Sequence, residues 1–257
     1  SLILIGRFIA GAGTTSQPVA QAAITDFSTG KVRAFNLSLI GLSMTLAMIL
    51  GPLGGAYLSN PALISWFNAT TPYWAGTILA ILNILLLIYF FDDRYFTIIT
   101  KPNHQTKHLL RLFTIPIIGF LICFMMMQTA WSAFYQGSFL FLGAKYHFTT
   151  DTISEYAAYS GFWMCLGLTI IYRYWLKHMT VAQIAIISIT VVIIGFIGLA
   201  LFKNTFSLWL FVTPIALCAG TTYPSLLQLL TEHTPTDHQG WMLGVASTLL
   251  GLAWMLR

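Results

Sequence analysis

Residues 38–59 read SLIGLSMTLAMILGPLGGAYLS, a run of 22 positions without one charged side chain. A helix needs about 20 predominantly apolar residues to cross the roughly 30 Å hydrocarbon core of a bilayer, so this stretch is long enough to span. Its second half is rich in small residues, with Gly51, Gly54 and Gly55 around Pro52. Small residues four apart let two helices meet backbone to backbone, and the proline bends the helix as it nears the far face.

Seven further apolar segments of similar length flank this one. The eight expected spans are 1–25, 35–58, 72–91, 112–141, 152–172, 180–202, 206–231 and 240–257. Only helices satisfy their own backbone in lipid, so all eight are read as α, and the continuous apolar runs exclude a β-barrel. Composition agrees. Of 257 residues 57% are hydrophobic and 7% are Asp, Glu, Lys or Arg, against roughly 25% charged in a soluble domain. The fold class is all-α integral membrane. The chain opens at Ser1 without a Met and stops inside an apolar run, which suggests a piece of a longer, transporter-sized protein with its last helix incomplete.

A net charge of +5 would suggest a nucleic-acid partner in a soluble protein. Here the basic residues sit between spans and report topology, so no nucleic acid is expected. Lys31, Arg33, Arg94, Lys101, Lys107, Arg111, Arg173 and Lys177 fall on one side, and only Lys145 and Lys203 on the other. This bias sets the first group in the cytoplasm. The stretch 92–111 is the longest connector. It divides a first bundle, 1–91, from a second, 112–257. Cys123, Cys165 and Cys218 lie in apolar runs without CxxC or His spacing, as small buried hydrophobes do. No metal or cofactor is expected, and no reactive constellation argues for an enzyme.

Arg7 is the one charge well inside a span; it either faces a cavity or partner, or snorkels to the interface. At helical spacing Arg7, Thr14, Gln17 and Gln21 share a stripe, with Gly11 and Pro18 beside it. That stripe reads as cavity lining, with helix–helix hydrogen bonding the alternative. In the fourth span Gln128, Ser132 and Gln136 recur every four residues beside Trp131 and Tyr135. This is a polar and aromatic ribbon suited to flat amphipathic molecules, although both aromatics equally suit a core. The seventh span adds Thr221, Thr222, Tyr223, Pro224 and Gln228. Asp151 and Glu155 read as helix N-terminal caps, Glu155 alternatively as a proton site.

Gly51-Pro52-Leu53-Gly54-Gly55 resembles the antiporter motif of the major facilitator superfamily, whose small positions fall here on Ser38, Ala47, Gly51 and Gly55. Gly6 to Gly13, an Arg followed four residues later by Gly, looks like the family's fourth-helix motif. Asp26 and the STGKVRAF after Phe27 are similar to the turn that follows it. Pro224 to Gln228 and Asp237 to Gly240 resemble the tenth helix and next loop of tetracycline-type efflux proteins. The resemblance implies helices four to eleven of a twelve-helix transporter, with three spans in front. In that family helices one, four, seven and ten line the cavity. Spans one, four and seven here would be three of them, and they are the spans with polar stripes.

The implied function is proton-coupled efflux of a small amphipathic organic compound by alternating access. The implied protein is monomeric, with protons as coupling ion, in a plasma membrane of the bacterial inner-membrane type. Arg7 would tune proton coupling, and Ser38, Ala47, Gly51, Pro52, Gly54 and Gly55 would pack the antiporter helix. The cavity would be lined by Thr14, Gln17, Gln21, Gln128, Trp131, Ser132, Tyr135, Gln136, Tyr223 and Gln228. The rival readings are uptake or export of one metabolite, of siderophore or sugar type, and a non-transporting scaffold or receptor.

Overall fold

A computed structural model describes residues 16–90, 113–202 and 204–255. Among these residues there is no strand. The α-helices are α1 (Ser16–Phe27), α2 (Gly30–Leu58), α3 (Thr71–Phe90), α4 (Ile115–Tyr146), α5 (Thr150–Leu166), α6 (Tyr172–His178), α7 (Val181–Leu201), α8 (Thr205–Glu232) and α9 (Gln239–Met255). A π-helical turn, Gly167–Ile171, joins α5 to α6 so that the backbone stays helical from Thr150 to His178. Five helical segments among the described residues are long and apolar enough to cross a membrane: Gly30–Gly55, Thr71–Phe90, Ile115–Tyr146, Val181–Leu201 and Thr205–Glu232.

The helix ends depart from the expected spans, and the reason is capping. Hydropathy marks where the apolar run stops, whereas a helix stops where its end groups find partners. The second helix begins at Gly30 rather than residue 35, the fourth runs to Tyr146 rather than 141, and the fifth continues to His178 rather than 172. Lys31, Arg33, Lys145, Arg173 and Lys177 therefore ride on terminal turns rather than in loops. α4 closes on His147 in the left-handed region (φ 53°), whose N–H donates to the Leu142 carbonyl. The N-cap of α5 is Thr149, which accepts from the Thr152 N–H at 3.3 Å, so the cap expected of Asp151 and Glu155 belongs to a neighbouring threonine. α7 starts on a reciprocal capping box between Thr180 and Gln183.

Between α1 and α2 lie only Ser28 and Thr29, and Gly30 takes φ +52°, a backbone conformation that suits glycine. The buried Arg33 reaches back across this turn. Its Nε donates to the Ser28 carbonyl at 2.7 Å and an Nη to the Thr25 carbonyl at 3.0 Å. A cation is thereby placed on orphan carbonyls at a helix C-terminus, where the helix dipole favours it.

Contacts group the described residues into two units, 16–46 with 113–255, and 47–90, with α2 running from the first into the second. The first unit has a continuous core in which Leu37, Ile117, Phe124, Tyr172, Leu227 and Met242 take part. Its most extensive helix pairing is α7 on α8. A methyl added at Gly195 would strike Ile215, and one at Gly198 would strike Phe211. Ser188 and Thr221 add a buried hydroxyl pair at 2.8 Å across the same helices. At Gly167, opening the π-turn, an added Cβ would stand 2.5 Å from the Leu217 carbonyl oxygen of α8.

The second unit holds the last turns of α2, a loop at 59–70 and α3. Asn68 accepts from Thr70 N–H at 2.8 Å while Thr71 Oγ1 accepts from Asn68 N–H at 2.9 Å, which fixes the entry to α3. The body of α3 is apolar and exposed, with Ile78, Leu79, Ile84 and Ile88 all on the surface. Such a surface suits a hydrocarbon environment.

Candidate functional site

α1 carries Gln17 and Gln21 one turn apart, hence on one face. Both side-chain nitrogens donate to a single acceptor on α8, the Tyr223 hydroxyl, at 2.7 and 2.6 Å. The partners lie about 200 positions away in the sequence. Gln21 is only 1% exposed, and its Oε1 is buried with no hydrogen-bond partner among the described residues. The Tyr223 ring lies 5.8 Å, centroid to centroid, from Phe124 of α4 and borders Gly41 of α2. Four helices therefore converge on one polar cluster.

An unpaired carbonyl in such a place is costly to bury, commonly about 1–3 kcal/mol. It is also an open invitation: an N–H or O–H entering the cluster would satisfy it. A second such group stands on α8 itself. Gln228 is fully buried and donates to Glu232 Oε1 at 2.7 Å, while its own Oε1 has no partner among the described residues.

The ribbon on α4 divides. Ser132 is buried and accepts from Gln136 Nε2 at 3.3 Å, while Gln128 and Tyr135 are half-buried. Trp131 packs into a core cluster with Val192, Ile215, Cys218 and Ala219. It stacks on Tyr135 with centroids 6.2 Å apart.

Ser38 is fully buried on α2, its Oγ 2.6 Å from the Phe35 carbonyl and 3.1 Å from that of Leu168 in the π-turn. The rest of the expected packing face behaves otherwise. An added Cβ at Gly51, Gly54 or Gly55 meets no atom within 4 Å, and Ala47 is exposed. The close approach expected there has no partner among the described residues. Arg7 and Thr14 lie outside the described residues, and nothing is described of the Pro52 side chain.

Three features went unread in the sequence: the Arg33 cap, the π-turn, and the glycines of α7. For the last a signal was present, because Gly195 and Gly198 are small residues three apart in an apolar run, the same kind of pattern recognised at Gly51 and Gly55.

A family model described as the Major Facilitator Superfamily matches residues 1–256. The chain belongs to the major facilitator superfamily. It is thus a multi-pass membrane transporter for a small-molecule substrate, and its all-helical build fits that fold. No curated protein matches the chain directly. Within a major facilitator fold, the Gln17–Tyr223–Gln21 cluster joins a helix of the N-terminal part of the sequence to one near its C-terminal end.

Proposed function

We propose that this transporter is a proton-coupled exporter of small amphipathic organic compounds, of the tetracycline and multidrug branch, working by alternating access about a midplane cavity. The single observation that carries this reading is the buried Gln17–Tyr223–Gln21 cluster with its unpaired Gln21 oxygen. Polar groups within a bilayer cost energy unless they pair or meet water or cargo. A cluster that keeps one acceptor open is suited to a cargo carrying a hydrogen-bond donor. Gln128, Tyr135 and Gln136 extend the polar lining along α4. The first bundle, 1–91, and the second, 112–257, rock about this site, joined by the connector 92–111. Arg7 attracts the ionised form of a partner carboxylate and so links proton release to movement.

The test uses the full-length protein in everted membrane vesicles carrying a pH gradient. Lipophilic cationic and zwitterionic compounds are added while a fluorescent probe follows the gradient. Compound-dependent proton release, abolished by Arg7→Ala in protein that is folded and inserted, is the expected result. Silence across the panel from folded protein would overturn the efflux reading.

A further inference from the structure

A crevice of about 280 Å³ opens on the first unit where α4, α5, α7 and α8 meet, away from the Tyr223 cluster. Gly137 and Phe141 of α4, Tyr156 of α5, Phe196 and Ala200 of α7 and Leu208 of α8 form its walls. The walls are mostly apolar. Around it Leu140 is 79% exposed and Leu201 70%, an apolar surface suited to hydrocarbon.

Two features say what fits. The first is shape. The α4 wall runs from Ala133 to Leu142, which at 1.5 Å per residue is about 13 Å along the helix. α4 is 32 residues long, about 48 Å, so its middle lies near Trp131 and the crevice extends from the bilayer midplane towards one surface. One leaflet contributes about 15 Å of hydrocarbon, so the slot has the length of a single leaflet. A helix about 10 Å across and 13 Å long would occupy roughly 1,000 Å³, several times this volume, so the slot is sized for an extended chain rather than for a whole helix. The second feature is charge. At the surface end of the slot the Lys145 ammonium stands 4.9 Å from the centre of the Phe141 ring, itself a wall, and 5.7 Å from that of Tyr146. A cation over aromatic faces at headgroup depth complements a phosphate.

We propose that this crevice is a phospholipid site: one acyl chain lies along α4 over Gly137, and the headgroup phosphate meets Lys145. Gly137 is what leaves the slot open, because a Cβ added there meets nothing within 4 Å. The site can therefore be filled without disturbing the fold.

The full-length protein is reconstituted into vesicles of phosphatidylethanolamine and phosphatidylglycerol containing a trace of phospholipid with a diazirine on one acyl chain. After irradiation the labelled peptides are mapped. Helix α3, apolar and exposed along its length, supplies the level set by passing lipid. Labelling of 133–142 and 196–208 several-fold above α3 is expected, falling to the α3 level in Gly137→Leu and, as a second filling variant, Ala200→Phe. Lys145→Glu should lower crevice labelling and leave α3 unchanged. Equal labelling of crevice and α3 in the unmodified protein, or an excess that survives both filling variants, would overturn the site. An excess indifferent to Lys145→Glu would overturn the phosphate contact. Loss of the excess on adding an amphipathic cargo compound, with the Lys145 variant unaltered, would assign the crevice to cargo instead.

Discussion

The α7–α8 pair and the region 47–90 carry similar sequences and use them differently. Both present small residues in long apolar helices. At Gly195 and Gly198 the missing side chains are filled by Ile215 and Phe211, so that even one methyl has no room. At Gly51, Gly54 and Gly55 the missing side chains leave open space. Small residues permit close approach, and a bulky complementary face consummates it. Spacing alone does not say which glycines have found one.

Substitutions test that contrast, with unfolding of the purified protein in detergent as the measurement. Gly198→Leu should cost the most, about 3 kcal/mol, because the new side chain must displace the Phe211 ring within a packed interface. Arg33→Ala comes next, at about 2 kcal/mol, since it removes two charge-assisted hydrogen bonds and exposes the last carbonyls of α1. Thr180→Ala loses the reciprocal cap of α7 and should cost about 1 kcal/mol. Gly55→Ala should fall within about 0.5 kcal/mol of the parent. A loss at Gly55 as large as that at Gly198 would mean the open face of 47–90 is covered in the intact protein.

Much of the fold was legible because the bilayer constrains it so tightly. Once 22 uncharged residues stand together at 38–59, a helix is the only economical answer, and the same reading applied to each later apolar run finds α3, α4, α7, α8 and α9. The ends were less legible. Lys145, Arg173 and Lys177 look like loop residues in composition, yet they sit on helical turns whose limits are set by His147 and Met179. The candidate site was half legible. Gln17 and Gln21 were readable as one stripe and Tyr223 as part of another, because each follows from helical period. Their meeting at one hydroxyl is a long-range pairing that no local pattern encodes. Trp131 was ambiguous for the opposite reason: an aromatic in an apolar helix fits a cavity wall and a core equally well until its neighbours are known.

The π-turn at Gly167–Ile171 has a consequence for how the chain tolerates editing. It takes up one more residue than an α-turn without interrupting the helix, so the helix before it and the helix after it are written in different reading frames. Tyr172, the first residue after the turn, accepts from the buried Ser225 hydroxyl at 3.1 Å. Deleting one residue normally rotates everything downstream by about 100° and turns buried faces to lipid. Deleting Ile170, which is 64% exposed, should instead collapse the turn to ordinary α-helix and leave both frames in place. The bulge is spare length, and this helix is the one in the described chain that can lose a letter and still make sense.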